Sequence, residues 1–565
     1  MSTLIQFENV SIEIGIPRKL FAPVTNLSFE IHKGTCTALI GESGSGKTLT
    51  SLSILNLLPQ NAHSNGDIYF WDEGQKISLT KLSGKEINTI RGKKIAMIFQ
   101  EPSMALNPLL TCGFQICEVI THHLRLPKKE AKKKTMTLLE EVELPNPKEL
   151  YKKFPHELSG GQKQRVMIAM AIACKPALLI ADEPTTALDV MTQKNIMNLL
   201  MKLKDQYDMS ILLVTHDIGL AADYANEIMV MYKGEIVENG KTQEILKNPI
   251  HLYTKALLNC RPQINKKGEK LPILSDFIEH ADLAEMIHKE DIWNQSKATI
   301  NTDPLLSIKN LSVQFPTKRN FWGKATAFHH AINNISFDIF KNEIIGIVGE
   351  SGCGKTTLGR TILQFIQPSS GQILLNGQPL SSSSFNRAQH TGLQIVFQDP
   401  YASLNPRITV GMAIEEPIKI HHLAPNKKAA KEKAVALLES VGLNEKMYNQ
   451  YPHEFSGGQR QRISIARALA IEPSFMVFDE SIAALDLSIQ SQILNLITDL
   501  KKNYGLTALF ISHDIISTCY ISDRILVLKN GCLVESGTAN EIFFHPTSTY
   551  TRSLIEAIPG KSLAS

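Results

Sequence analysis

The chain has 565 residues, of which 43% are hydrophobic and 20% charged, and its formal net charge is +4. That length suits two domains of roughly 250 residues each, and so small an excess of positive charge gives no reason to expect nucleic-acid binding. No apolar run approaches the ~20 residues that would cross a bilayer. The opening Met1-Ser2-Thr3-Leu4-Ile5-Gln6 lacks the basic and apolar regions of a signal peptide, so the chain is expected to stay in the cytoplasm.

In chain order, Leu4 to Ile14 has partly alternating polarity and reads as an opening strand. Thr37-Ala38-Leu39-Ile40 is a short apolar strand that runs into Gly41-Glu42-Ser43-Gly44-Ser45-Gly46-Lys47-Thr48, a G-x-x-x-x-G-K-[ST] loop followed by helix-compatible sequence. The glycines let successive main-chain N–H groups turn inward onto phosphate oxygens, and the dipole of the next helix adds to the attraction. Lys47 neutralises phosphate charge, and Thr48 offers a hydroxyl to Mg²⁺. Between Gln100 and Ser159 the pattern turns helical, and its lysine-rich stretch at 128–134 reads as a solvated helix face. Ala177 to Ala181 is a nearly unbroken apolar strand of the kind buried on both faces of a sheet, and Ile211 to Val214 is another. Asp182 ends the first of these, where a carboxylate is costly without a cation, and a metal bridging nucleotide phosphates would supply one. Glu183 follows immediately and can meet an attacking water, although a helix cap is the bland role for such acids. Lys233-Gly234 reads as a hairpin turn.

Residues 261–303 read as a linker opened by Pro262, Lys266-Lys267-Gly268 and Pro272, with one short helix near 276–289. Everything then returns. Leu305 to Phe315 is a second opening strand, Ile344 to Val348 a second apolar strand, and Gly349-Glu350-Ser351-Gly352-Cys353-Gly354-Lys355-Thr356 a second phosphate loop. Ser159-Gly160-Gly161-Gln162 recurs 297 residues later as Ser456-Gly457-Gly458-Gln459. Asp182-Glu183 and Asp479-Glu480, and His216 and His513, keep the same 297-residue offset. Gln100 and Gln398 are 298 apart and the phosphate loops 308 apart, so the first copy has a ten-residue insertion between its loop and Gln100. A period this long means duplicated domains, and two nucleotide sites are expected. Lysines 427–433, the apolar strands around Val477 and Phe510, and the turn at Asn530-Gly531 complete the second copy.

Eight scattered cysteines form no C-x-x-C pair, and reduced structural thiols are the expected state. His122-His123 and His329-His330 read as surface or loop residues rather than metal ligands. Cys353 lies where the first loop has Ser45; nearby N–H groups and Lys355 are expected to favour a thiolate, against the plainer reading of cysteine as a small filler.

Together these residues resemble the ATP-binding domains of ABC transporters, twice over, across nearly all of the chain except the linker. The resemblance implies an α/β fold of two tandem P-loop ATPase domains at 1–260 and 304–565, each with a RecA-like core, an antiparallel β subdomain and a helical subdomain. In that family the Ser159 and Ser456 segments look like signature motifs, Gln100 and Gln398 like Q-loops, Ala187-Leu188-Asp189 and Ala484-Leu485-Asp486 like D-loops, and His216 and His513 like switch histidines. The implied catalytic groups are Glu183, His216, Glu480 and His513. Thr48, Gln100, Asp182, Thr356, Gln398 and Asp479 are the implied Mg²⁺ set, and both phosphate loops, both Q-loops and both signatures contact ATP. Each ATP is expected between the phosphate loop of one domain and the signature of the other.

The F-Q-[DE]-P-x-x-[SA]-L-N-P pattern after both glutamines, and the similar extensions at 251–258 and 550–554, resemble importers of the oligopeptide, dipeptide and nickel class. Fusion of both domains is similar to a subset that includes microcin C and glutathione-type importers. Such a protein would sit peripherally on the cytoplasmic face of the inner membrane, with two integral membrane permease subunits and an extracytoplasmic solute-binding protein. Phe315 stands where the family often stacks a ring on adenine, whereas the first copy has Ile14 there and is expected to hold the base less firmly unless Phe21 substitutes; Ser481 replaces the proline seen as Pro184. The cysteine cluster of some peptide importers is not recognisable, so no iron–sulfur centre is expected. Ribosome-associated translation factors are the alternative among tandem ABC ATPases, but the modest, mixed linker does not look like theirs.

Overall fold

The computed structural model describes residues 2–16, 19–186, 188–279, 303–319, 325–380, 392–399, 403–482 and 485–563. Ala187 and Ala484 of the D-loops, and Pro400-Tyr401-Ala402 of the second post-glutamine stretch, lie outside them. The chain divides into two compact units. The first contains 1–258, 277–281 and 559–563; the second contains 259–276 and 282–558.

In the first unit, six strands lie in the order Glu235–Lys241, Glu227–Tyr232, Cys36–Ile40, Ser210–Thr215, Leu178–Asp182 and Ile95–Ile98. All neighbours are parallel except the first pair. Every residue of Cys36–Ile40, Leu178–Asp182 and Ser210–Thr215 is buried, as a sheet covered on both faces requires. The second unit repeats the order with Leu393–Val396, Phe475–Asp479, Ala508–Ile511, Ile344–Val348, Arg524–Lys529 and Cys532–Thr538. A four-stranded antiparallel sheet accompanies each of these; in the first unit it pairs Thr3–Ile16 with Lys19–His32 and Ala62–Asp72. The expected hairpin turns are present, with Lys233 and Gly234 at φ 48° and 88° and Asn530 and Gly531 at 48° and 76°.

A helical layer follows each Q-loop: Cys112–Leu124 and Lys128–Glu141 in the first unit, Val410–Ile420 and Lys427–Ser440 in the second. The lysine-rich helix buries Ala131, Thr135, Leu138 and Leu139 and leaves most of its lysines in solvent. His122 and His123 lie in the preceding helix, not in a loop. The described part of the expected linker is folded: its helix is Leu274–Glu279, and the remainder of the expected 276–289 helix lies outside the described residues.

Glycine fixes the packing of the helical layer. A Cβ at Gly411 would lie 2.2 Å from Cδ2 of Tyr448, whose hydroxyl donates to the buried Glu415 one turn on; Gly113 meets Tyr151 at the same 2.2 Å in the first unit. The ring cannot retreat without breaking that bond. Gly411→Ala is therefore expected to destabilise the protein by about 1–3 kcal/mol, read as a lowered denaturant midpoint at unchanged slope.

Candidate functional site

Each phosphate loop hangs between a buried strand and the helix it starts. Gly41, Gly44 and Gly46 have φ of 157°, 80° and 106°, and a Cβ at Gly41 would lie 2.2 Å from the carbonyl oxygen of Met231 on the neighbouring strand. Gly349 meets Leu528 in the same way at 2.3 Å. Lys47 is 5% exposed, and its Nζ donates to the carbonyls of Gly41 at 2.9 Å and Glu42 at 2.8 Å. Lys355 does the same with Gly349 at 2.7 Å and Glu350 at 2.9 Å. Ser43 and Gly44, like Ser351 and Gly352, are exposed at the rim.

Beside each loop the strand-end aspartate meets the loop threonine. Thr48 Oγ1 donates to Asp182 at 3.4 Å, and Thr356 Oγ1 to Asp479 at 2.9 Å. Burial pushes Asp182 up from 3.8 to about 6; Glu183 beside it adds to the shift, and Thr48 and Lys47 oppose it. Asp479 is raised for the same first reason. A buried carboxylate paired with one hydroxyl is under-compensated, which is the donor chemistry of a hard-cation site completed by phosphate oxygens and water. The cradle, the lysine and this pair fit a nucleotide carrying a divalent cation.

Glu183 and Glu480 turn the chain through left-handed backbone, at φ 46° and 49°, so they point differently from the preceding aspartates. Both carboxylate oxygens of Glu183 are engaged. His216 Nδ1 lies 3.0 Å from Oε1, and Thr186 Oγ1 and Gln100 Nε2 each donate to Oε2 at 2.8 Å. Burial alone would raise this carboxyl, but His216, Thr186 and Lys47 together hold it at about 2. The second site is looser: His513 Nδ1 is 3.9 Å from Glu480, and among the described residues Gln398 makes no bond to that carboxylate. Position 483, 297 residues after Thr186, is alanine and lies outside the described residues. Ser481 is 2% exposed and its hydroxyl has no partner among the described residues.

Ser159 and Ser456 begin the helices Gly160–Ile172 and Gly457–Leu469. Each hydroxyl accepts from the N–H of Gln162 or Gln459 at 3.3 Å, and that glutamine's side chain returns to the serine N–H. The glutamines thus serve as reciprocal caps. Ser159 and Gly160 are exposed, so the helix N-terminus faces outward as an anion site would.

The ABC transporter family model matches residues 24–186 and 332–483. This chain belongs to the ABC transporter family. A second model, for the C-terminal region of oligopeptide/dipeptide transporters, matches residues 237–279. The glutathione import ATP-binding protein GsiA of Shigella sonnei (strain Ss046) is 41% identical over 98% of this chain and 89% of its own. GsiA of Escherichia coli (strain K12) has the same 41%, 98% and 89%. Among solved structures, cbiO1 from Clostridium perfringens, part of the ABC transporter complex cbiONQ, is 27% identical over 43% of this chain and 92% of that chain, at a TM-score of 0.37.

For an ABC ATPase, two groups here are additions to the sequence reading. Tyr253 and Tyr550, in the repeated extensions, accept from the N–H of Glu42 at 2.9 Å and Glu350 at 3.2 Å, and so brace the phosphate loops from below. Their shared 297-residue offset was the available signal. Thr186 carried no such signal, because its partner in the second copy is alanine. Phe315 is 39% exposed opposite His329; in the first unit Ile14 pairs across the strands with Phe21, which is 52% exposed.

One expectation is corrected. Cys353 is 5% exposed and belongs to the apolar core of its unit, and burial raises its thiol despite Lys355. Desolvation outweighs Lys355 and the N–H groups of Cys353 and Lys355 that favour a thiolate.

Because folded protein holds the Asp182 proton more tightly than unfolded chain, this group's contribution to stability is lost as pH rises from 3.8 through about 6. The loss is at most about 3 kcal/mol. Thermal melts of nucleotide-free protein across that window should show a decline that Asp182→Asn removes.

Proposed function

We propose that this chain is the ATP-hydrolysing subunit of an ABC importer, taking up peptides or peptide-like solutes. The observation that carries the reading is 41% identity over 98% of the chain to glutathione import ATP-binding proteins. The match of 237–279 to the oligopeptide/dipeptide region supports the same solute class. Two permease subunits and an extracytoplasmic binding protein complete the importer, and this subunit works peripherally at the cytoplasmic face of the inner membrane.

Bound Mg²⁺ would supply charge neutralisation on the transferred phosphoryl group, held by Thr48 and Asp182 with Gln100, and by Thr356 and Asp479 with Gln398. The loop N–H groups and Lys47 or Lys355 bind and orient the triphosphate, with Phe315 beneath the adenine of one site. Glu183 and Glu480 orient the attacking water or take its proton, and His216 and His513 hold those carboxylates. Ser159 and Ser456 present their helix N-termini to the γ-phosphate of the opposite domain, so two ATP molecules close the pair and hydrolysis reopens it. The helices after Gln100 and Gln398 pass that motion to the permeases.

A strain lacking the gene should recover peptide uptake with the wild-type chain and not with Glu183→Gln/Glu480→Gln. The purified double variant should bind ATP normally while its turnover falls by about 10²- to 10⁴-fold. Near-normal turnover would remove these glutamates from the mechanism; normal ATPase without restored uptake of any peptide would remove the solute class.

Crossed sites are tested separately. Ser159→Arg should abolish nucleotide photocrosslinking at the loop of Lys355 and spare that of Lys47, and Ser456→Arg should do the reverse. Loss confined to the mutated domain's own loop contradicts head-to-tail pairing.

A further inference from the structure

The compact units do not divide where the repeats do. Leu258 ends the main body of the first unit, and residues 259–276 belong to the second. This stretch is held chiefly through its main chain. Ser491 Oγ donates to the carbonyl of Cys260 at 2.6 Å. Asn495, only 6% exposed, accepts from the N–H of Leu271 at 2.9 Å and donates to its carbonyl at 2.7 Å, much as a neighbouring strand would. The Tyr520 hydroxyl donates to the carbonyl of Glu269, and Lys267 Nζ donates to the carbonyl of Ser522. The Leu271 side chain, 6% exposed, completes the apolar core of the second unit.

A flexible connector needs no such pairing, since its polar main chain is satisfied by water. The other end of the chain behaves alike. Residues 559–563 group with the first unit, and the Gly560 N–H donates to Asp223 at 2.8 Å. Asp223 stands 297 residues before Tyr520, so both tails meet the same position of the short helix that follows the switch histidine.

We propose that residues 259–276 are a docking peptide whose receptor is formed by helices Leu487–Tyr504 and Ile515–Ile521. The C-terminal segment of the first ATPase domain grips the second non-covalently, so the halves stay joined without the chain that links them. This gives a role to the portion of the oligopeptide/dipeptide C-terminal region that extends past Leu258. The covalent connection then mainly sets the local concentration of a peptide that binds by itself.

The test uses the full chain with a specific protease site inserted between Asn294 and Gln295. After cleavage, with nucleotide and Mg²⁺ removed so that ATP-driven pairing contributes nothing, the two fragments should co-elute on gel filtration. In the cleaved chain ending at Ile558, where the 559–563 tail contributes nothing, excess synthetic peptide spanning 259–276 should separate the fragments, and the same peptide carrying Leu271→Asp should not. Asn495→Ala, which strands both main-chain groups of Leu271, should raise by about 10-fold the protein concentration below which the cleaved fragments part on dilution. Fragments that part on cleavage alone, or that stay together regardless of peptide and of Asn495→Ala, would overturn the proposal. The peptide competition needs no altered receptor, so a variant that failed to fold would not decide the result.

Discussion

Everything at the two sites depends on how closely the main chain of the strand Glu227–Tyr232 passes over Gly41, and that of Arg524–Lys529 over Gly349. With 2.2 and 2.3 Å available to a Cβ, only glycine lets the loop curl there. That curl brings the carbonyls of residues 41 and 42 onto Lys47, and those of 349 and 350 onto Lys355. The lysine is thereby stored, buried and hydrogen-bonded, beside the place where phosphate charge arrives. The tyrosines at 253 and 550 fix the loop from its other side. A short motif thus has its shape enforced by segments roughly two hundred residues away in sequence.

The two sites share this frame but differ at the glutamate. Glu183 accepts from Thr186 and Gln100 and lies against His216, whereas Glu480 has His513 at 3.9 Å and alanine at position 483. With both oxygens of Glu183 engaged, water is left one direction, on Oε1 beside His216, unless it displaces a partner. Its carboxyl, held at about 2, is a weak proton acceptor in this arrangement. The second carboxylate starts with fewer bonds to exchange. Adjacent aspartates follow the opposite logic, since burial without a cation raises them. One dipeptide therefore carries one carboxyl that burial raises and another tied to neutral or cationic side chains, because a left-handed residue separates their directions.

The number of ATPase domains and their order were legible in the sequence alone, as were the residues proposed to face phosphate. These are properties of short segments whose glycine, lysine and carboxylate spacing has one physical use, and each recurs in the second copy, the phosphate loops 308 residues on and the carboxylates 297. Strands such as Leu178–Asp182 were legible because burial on both faces demands unbroken apolar runs. Only the tertiary structure decided what depends on distant segments meeting. It turned the Cys353 thiol into the core, where desolvation outweighs Lys355. It brought Gln100 onto Glu183 and spent Gln162 and Gln459 on caps. It also moved 259–276, which by composition is a linker, into the second unit. Those contacts are made largely by main-chain groups, which every residue carries alike, so no pattern of side chains could announce them.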